Sequence, residues 1–138
     1  MGSNLRDKSS SISHEYRCAS TAASTTFSKY QIPVKIYKPR SDFRVRSLAG
    51  EKEVADYVEL HRSVFESKNM TVDWRTRTLQ HPDYKPDLDI VVESPDRRLV
   101  AFCICWLDEN SMTGHVEPLG CHKDYRQYGL GRVALSEG

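Results

Sequence analysis

Residues 98–106, RLVAFCICW, form a near-continuous apolar run. A strand that is apolar on both of its alternating faces belongs inside a sheet with a packed layer on each side. Turn chemistry closes it at both ends. Ser94-Pro95-Asp96-Arg97 precedes it, with Pro at the second turn position and Asp after it, and Asp108-Glu109-Asn110-Ser111 follows. Connections this short join antiparallel neighbours. The sequence therefore places strands at Leu88–Glu93 and Thr113–Cys121 before and after the central run, joined to it by hairpin-length turns.

Upstream, Phe43-Arg44-Val45-Arg46-Ser47-Leu48 alternates apolar with polar, the pattern of a half-buried strand. Ala49-Gly50 breaks it. A helix is expected from Glu51 to Glu66, because Val54, Tyr57, Val58, His61, Val64 and Phe65 fall on one face. Glu51 and Glu53 suit its first turn. His61 on this face reads as a core-edge histidine. Thr71 can cap a second, shorter helix that runs to Gln80 and is stopped by Pro82. The polar loop HPDYKPD, 81–87, leads into the later strands. The order is β-α-α-β-β-β-α: an α/β chain with a mixed, mostly antiparallel sheet flanked by helices.

The last strand opens onto GCHKDYRQYGLGR, residues 120–132, and then onto a helix. Arg126-Gln127-Tyr128-Gly129-Leu130-Gly131 has the form Arg-x-x-Gly-x-Gly. Glycines at a strand-to-helix junction allow backbone N–H groups to approach a ligand closely. The helix N-terminus adds its positive dipole end, so the junction suits a phosphate or pyrophosphate. Arg126 and Arg132 add charge of the right geometry. Gly129 to Ala134 also fits the dinucleotide pattern G-x-G-x-x-A. That fingerprint should follow its strand directly, but six polar residues, 122–127, intervene.

Arg-x-x-Gly-x-Gly after an apolar strand resembles the acyl-CoA-binding motif of the GNAT (GCN5-related) N-acetyltransferases. VEPLGCHKDYRQYGLGRVAL, residues 116–135, is similar to a GNAT subgroup with Glu-Pro-Leu-Gly in the same strand. The resemblance implies acetyl-CoA as co-substrate, an amine as acceptor and no metal. It implies that backbone groups of Leu119 and Cys121 face the pantetheine and the acetyl carbonyl. It further implies that Arg126, Gln127, Tyr128, Gly129, Leu130, Gly131 and Arg132 cradle the pyrophosphate. Glu117, in the strand beside the thioester, is the candidate base; a solvated or ion-paired strand carboxylate is its plain alternative. Pro118 removes a ladder donor, which agrees with the bulged fourth strand of that family. Lys123 stands where the family commonly has proline. By the same resemblance Trp74, Arg75, Arg77 and Tyr84 are candidates for the acceptor side, although each also reads as packing or solvated surface. The family's usual acid is a tyrosine after the third helix; Tyr125 and Tyr128 lie on the phosphate side and do not replace it.

The domain of that family continues beyond the helix at which this chain reaches Gly138. The expectation is the first two-thirds of a GNAT domain over 41–138, with the C-terminal part missing, completed by further sequence, a tandem domain or a second copy in a homodimer. This portion alone is expected to be inactive, since the family's fifth strand and acid lie beyond it; a non-catalytic acyl-CoA-binding or assembly module, or an incomplete inactive gene product, is the alternative. Residues 1–40 are expected to be disordered or a linker, or the end of a preceding domain. Residues 1–29 are rich in Ser, Thr and small residues and cannot bury enough apolar surface to order themselves. They carry only a faint likeness to a transit peptide.

Charge closes off other classes. The 20 Lys/Arg and 19 Asp/Glu nearly cancel over 138 residues, which argues for neither nucleic acid nor a membrane surface as partner. Of these, the first forty residues hold seven Lys/Arg against two Asp/Glu, so the basic surplus lies at the N-terminal end. No apolar run approaches a membrane span, and no secretory h-region is present. Cys18, Cys103, Cys105 and Cys121 lack zinc spacing and read as small buried hydrophobes of a reducing compartment, so a cytoplasmic location is expected. His115 and His122 flank the last strand without ligand partners at useful spacing and read as ordinary packing or surface histidines.

Overall fold

The computed structural model describes residues 36–138. The readings of residues 1–35, among them Cys18 and the Ser/Thr-rich stretch 1–29, lie outside the described residues.

Four strands form one sheet: β1 (Arg44–Ser47), β2 (Asp89–Glu93), β3 (Leu99–Asp108) and β4 (Thr113–Cys121). They pair in the order β1-β2-β3-β4, antiparallel throughout. Two helices, α1 (Val54–Phe65) and α2 (Val72–Leu79), separate β1 from β2, and α3 (Leu130–Glu137) follows β4. This is the expected β-α-α-β-β-β-α order.

The central strand is covered on both faces, as its composition requires. Phe102 and Ile104 join Val91, Tyr57, Val58 and Leu60 under α1 and α2. Their neighbours Ala101 and Cys103 point the other way and join Ile90, Val92, Leu130 and Ala134 under α3. Alternation along β2 and β3 thus feeds two cores from one sheet.

Local chemistry explains the element ends. Thr71 caps α2 as expected, its hydroxyl accepting from the Trp74 amide at 3.1 Å. The first helix departs from expectation: a 3-10 turn at Gly50–Glu53 precedes α1. Glu53 is turned back, accepting from the Ala49 amide at 2.7 Å and from two nitrogens of Arg46 at 2.7 and 2.8 Å. Arg46 also reaches Glu93 at 2.6 Å, tying β1, the turn and β2 together. His61 lies at the core edge, stacked on Phe102 with ring centroids 5.7 Å apart. Burial pushes its pKa below the usual value.

Candidate functional site

β3 and β4 fall out of step in mid-strand. Cys103 pairs with Leu119, but Cys105 pairs with Val116, so Glu117 and Pro118 together oppose Ile104. That is a β-bulge, and bulges re-aim side chains and interrupt ladders. It sits at the position where a proline cannot donate to the ladder. Trp106 fastens it: the indole Nε1 donates to the Glu117 carbonyl at 2.9 Å.

Glu117 projects from the bulge with its side chain 74% exposed, and its Oε2 lies 2.9 Å from His115 Nε2. His115 was read as ordinary; its spacing of two along a strand, which places it on the face of Glu117, was the available signal. An open groove of about 590 Å³ begins at His115 and runs past Trp106, Asp108, Asp83 and Lys85. Lys85 is ion-paired to Glu109.

Of the residues proposed for the acceptor side, Arg75 does not belong there. It is 1% exposed and paired with the fully buried Asp89 of β2. Its guanidinium lies 3.9 Å over the Tyr57 ring. Tyr84 is bound into the same cluster, its hydroxyl donating to Asp89 at 2.6 Å and its ring set against Trp106. Burial pushes the Asp89 carboxyl and the Tyr84 hydroxyl upward, while Arg75 draws Asp89 back down. Arg77 pairs with Asp73 on the surface, and Trp74 is exposed.

At the far end of β4 the chain forms the loop. His122 continues the ladder, its amide donating to the Val100 carbonyl at 2.8 Å. Its ring caps a 3-10 helix over Lys123–Tyr128 by accepting from the Asp124 amide at 3.3 Å. Gly129 ends that helix at φ 67°, ψ 21°, the left-handed region where glycine is favoured, and starts α3. Leu130 and Gly131 are the first residues of α3, whose N–H groups have no partner earlier in the helix. The Gly129 carbonyl accepts from the Arg132 and Val133 amides at 3.1 and 3.2 Å. A Cβ placed on Gly131 would meet only the Cβ of Cys121, at 3.9 Å. The protein's own packing therefore does not demand glycine there; the surface above it is open to a ligand, and the residues fit a phosphate group.

Other loop residues divide by what they touch. Leu130 is fully buried, so only its backbone is available. Gln127 donates its side-chain amide to the Asp124 carbonyl. Burial pushes the Cys121 thiol upward, and the nearby Arg126 charge and the Gly131 amide oppose this. Tyr125 packs edge-on to Phe43 at 6.0 Å, and Tyr128 lies 5.4 Å from it. Leu119 is 39% exposed on β4. The structure thus gathers Arg126 to Arg132 with Cys121 at one end of β4 and sets Glu117 apart, on the bulge. Two residues missed in the sequence also lie beside the loop: Arg132 sits over the Tyr37 ring at 5.2 Å and Arg40 over the Tyr128 ring at 5.1 Å. About ninety positions separate these partners in the chain, and no local pattern marks them.

No known protein-family model matches the sequence. Among curated proteins, subunit 1 of the mitochondrial NAD isocitrate dehydrogenase of Saccharomyces cerevisiae is 32% identical over 76 residues, which is 53% of this chain and 20% of that protein. Among solved structures, a GCN5-related N-acetyltransferase from Sphaerobacter thermophilus superposes with a TM-score of 0.66 at 16% identity, over 78% of this chain and 34% of that one. The N-myristoyltransferase of Saccharomyces cerevisiae with bound myristoyl-CoA superposes with a TM-score of 0.58 at 21% identity, over 75% of this chain and 27% of that one. This chain spans about a third or less of the proteins it matches. With its bulged β4, two helices on one face and α3 on the other, the chain has the GNAT fold.

Proposed function

We propose that this chain contains the acyl-CoA-binding part of an N-acyltransferase that moves an acetyl group from acetyl-CoA to an amine of a small molecule or peptide. The observation that carries this reading is the loop Arg126–Gly131 joining a bulged strand to the N-terminus of α3. Amides at that helix end and the Arg126 guanidinium suit a pyrophosphate. The thioester would then lie along β4 near Leu119 and the bulge. A strand supplied beside the outer edge of β4, from a further segment or a second copy, would close that side.

On this reading Glu117 takes the proton from the acceptor ammonium, directly or through one water. The free amine attacks the thioester carbon, the N–C bond forms and the C–S bond breaks, and the CoA thiolate leaves with the proton that the attacking nitrogen gives up. His115, in contact with Glu117, holds the carboxylate in one orientation. The groove beyond His115, with Trp106 and Asp108 along it, suits a cationic acceptor. The free thiols of Cys103, Cys105 and Cys121 suit a reducing, cytoplasmic setting.

A second reading, a dinucleotide site, has the Gly129–Ala134 pattern and the partial likeness to an NAD-linked dehydrogenase subunit in its favour. The sheet opposes it. A dinucleotide fingerprint belongs to a parallel βαβ unit, whereas β4 is antiparallel to β3.

Thermal shift with acetyl-CoA, myristoyl-CoA and NAD separates these possibilities, because a ligand of the native state raises apparent stability. The acetyl-CoA reading expects the largest shift with acetyl-CoA. A shift with NAD and none with either CoA thioester would overturn it.

A further inference from the structure

The strongest unassigned feature is the segment that leads into β1. Residues 36–43 lie across α3 and the glycine loop. The Tyr37 amide donates to Ser136 Oγ at 3.1 Å. The Tyr37 ring carries the Arg132 guanidinium, and the Tyr128 ring, backed by Phe43, carries that of Arg40. Two guanidinium groups are thus held on aromatic faces, one on Tyr128 just before Gly129–Gly131 and one from Arg132 just after it. Arginine stacked in this way is pre-organised for a phosphate.

Among the described residues, the charge around the loop is poorly compensated. No ion pair among the described residues involves Arg126 or Arg132. Among the described residues Arg40 pairs with Asp42, at 3.8 Å, with side chains 63% and 48% exposed, a geometry worth little. Asp124 is near His122. Cations gathered without counter-charge favour a multiply charged anion.

CoA carries phosphate in two places, the pyrophosphate and the 3′-phosphate of its ribose. The loop amides and Arg126 suit the first. We infer that the arm 36–43 is part of the ligand site and that Arg40, on its Tyr128 platform, selects the 3′-phosphate of CoA. This rests on the acyl-CoA reading above and goes beyond it, because it assigns recognition to residues outside the glycine motif.

The test compares CoA with 3′-dephospho-CoA by titration calorimetry at low salt, on the full chain and on its R40A and R40E variants. The expected preference of the parent for CoA is roughly three- to tenfold, the size of a partly exposed charge-assisted contact. It falls to about one in R40A and inverts in R40E. Arg40 is well exposed, so the unfolding midpoint of either variant stays close to that of the parent. Equal affinities for the two ligands in the parent, or an undiminished preference in R40A, would overturn the role of Arg40 and leave the acyl-CoA reading standing. Binding of neither ligand would overturn the acyl-CoA reading, and this inference with it.

Discussion

The indole nitrogen of Trp106 donates to the carbonyl of Glu117 across the one bulge in the β3–β4 ladder. A neutral hydrogen bond near solvent contributes about 1 kcal/mol or less. Its position matters more than its strength, because it fixes the strand segment carrying the candidate base. Trp106→Phe keeps the ring and removes the donor. Urea unfolding should show a loss of about 1 kcal/mol or less. Where a further segment or a second copy completes the sheet beside β4, acetyl-CoA-dependent thiol release with an amine panel should fall roughly tenfold to a hundredfold, the sensitivity expected of a small misplacement of reacting groups. Equal rates in the variant and parent would remove the bulge from the mechanism.

Gly120 is packed against for a different reason. A Cβ there would lie 2.6 Å from Phe102 Cζ and 2.7 Å from Val64 Cγ1. Gly120→Ala must push the Phe102 ring or α1 away, at a cost of about 1–3 kcal/mol. Chemical denaturation of the purified variant checks this. An unchanged midpoint would mean that α1 sits further from β4 than found.

The buried pair makes a sharper case. Removing one partner of a buried ion pair costs about 3–5 kcal/mol, because the other charge stays behind uncompensated. Arg75→Met should therefore destabilise the chain severely, with Asp89 and the Tyr84 hydroxyl left together. Arg75→Met combined with Asp89→Leu should recover much of that loss. Thermal unfolding of the three variants decides it; a double variant no better than Arg75→Met would show that the pair is not the source of the cost.

The split between what could and could not be read from the chain follows from these contacts. Element order, the two-sided burial of β3, the Thr71 cap and the glycine loop were legible, because each depends on spacing within a few residues. The bulge was half legible: Pro118 marked it, but its fastening by Trp106 needs a partner eleven residues away on another strand. For Arg75 the sequence leaves acceptor side, packing and solvated surface open; only Asp89, fourteen residues on in a strand, shows that packing is the outcome. The arm against α3 left no signal, since Tyr37 and Arg40 are ordinary residues until the fold brings α3 beside them.

Acid should loosen the β1–β2 edge. The Arg46 hydrogen bond holds the Glu53 carboxyl below the usual carboxylate range, against burial, with help from the Ala49 amide and the charges of Arg46 and Lys52. Glu93 and Arg97 lie close by on the same edge. A depressed folded-state pKa contributes stability that is present above the unfolded value, about 4.3 for glutamate, and is lost as pH falls through the folded value. Glu53→Gln should be less stable than the parent at neutral pH and should approach it below about pH 4. Denaturant midpoints measured from pH 7 down to 3 test this; a constant difference across the range would contradict the sign.

The two loop glycines should fail in different ways, and the difference identifies the cradle. Gly129 is held in the left-handed region at φ 67°, with nothing near its Cβ position. A side chain there is strained by the backbone alone, at about 1–3 kcal/mol. Gly131 has no such strain, and its Cβ position meets only Cys121 at ordinary contact distance. Gly129→Val should therefore lower stability and CoA affinity together. Gly131→Val should keep the unfolding midpoint within a few degrees of the parent, since the Cβ position has room and the backbone carries no left-handed strain there. It should still abolish CoA binding, because the new side chain occupies the space over the α3 amides. Arg126→Ala should weaken binding only modestly, as one exposed charge contributes little. Calorimetric titration of CoA into the three variants, beside their melting curves, gives the comparison. If Gly131→Val binds CoA as the parent does while remaining folded, the ligand does not approach the α3 N-terminus, and the pyrophosphate must be placed elsewhere.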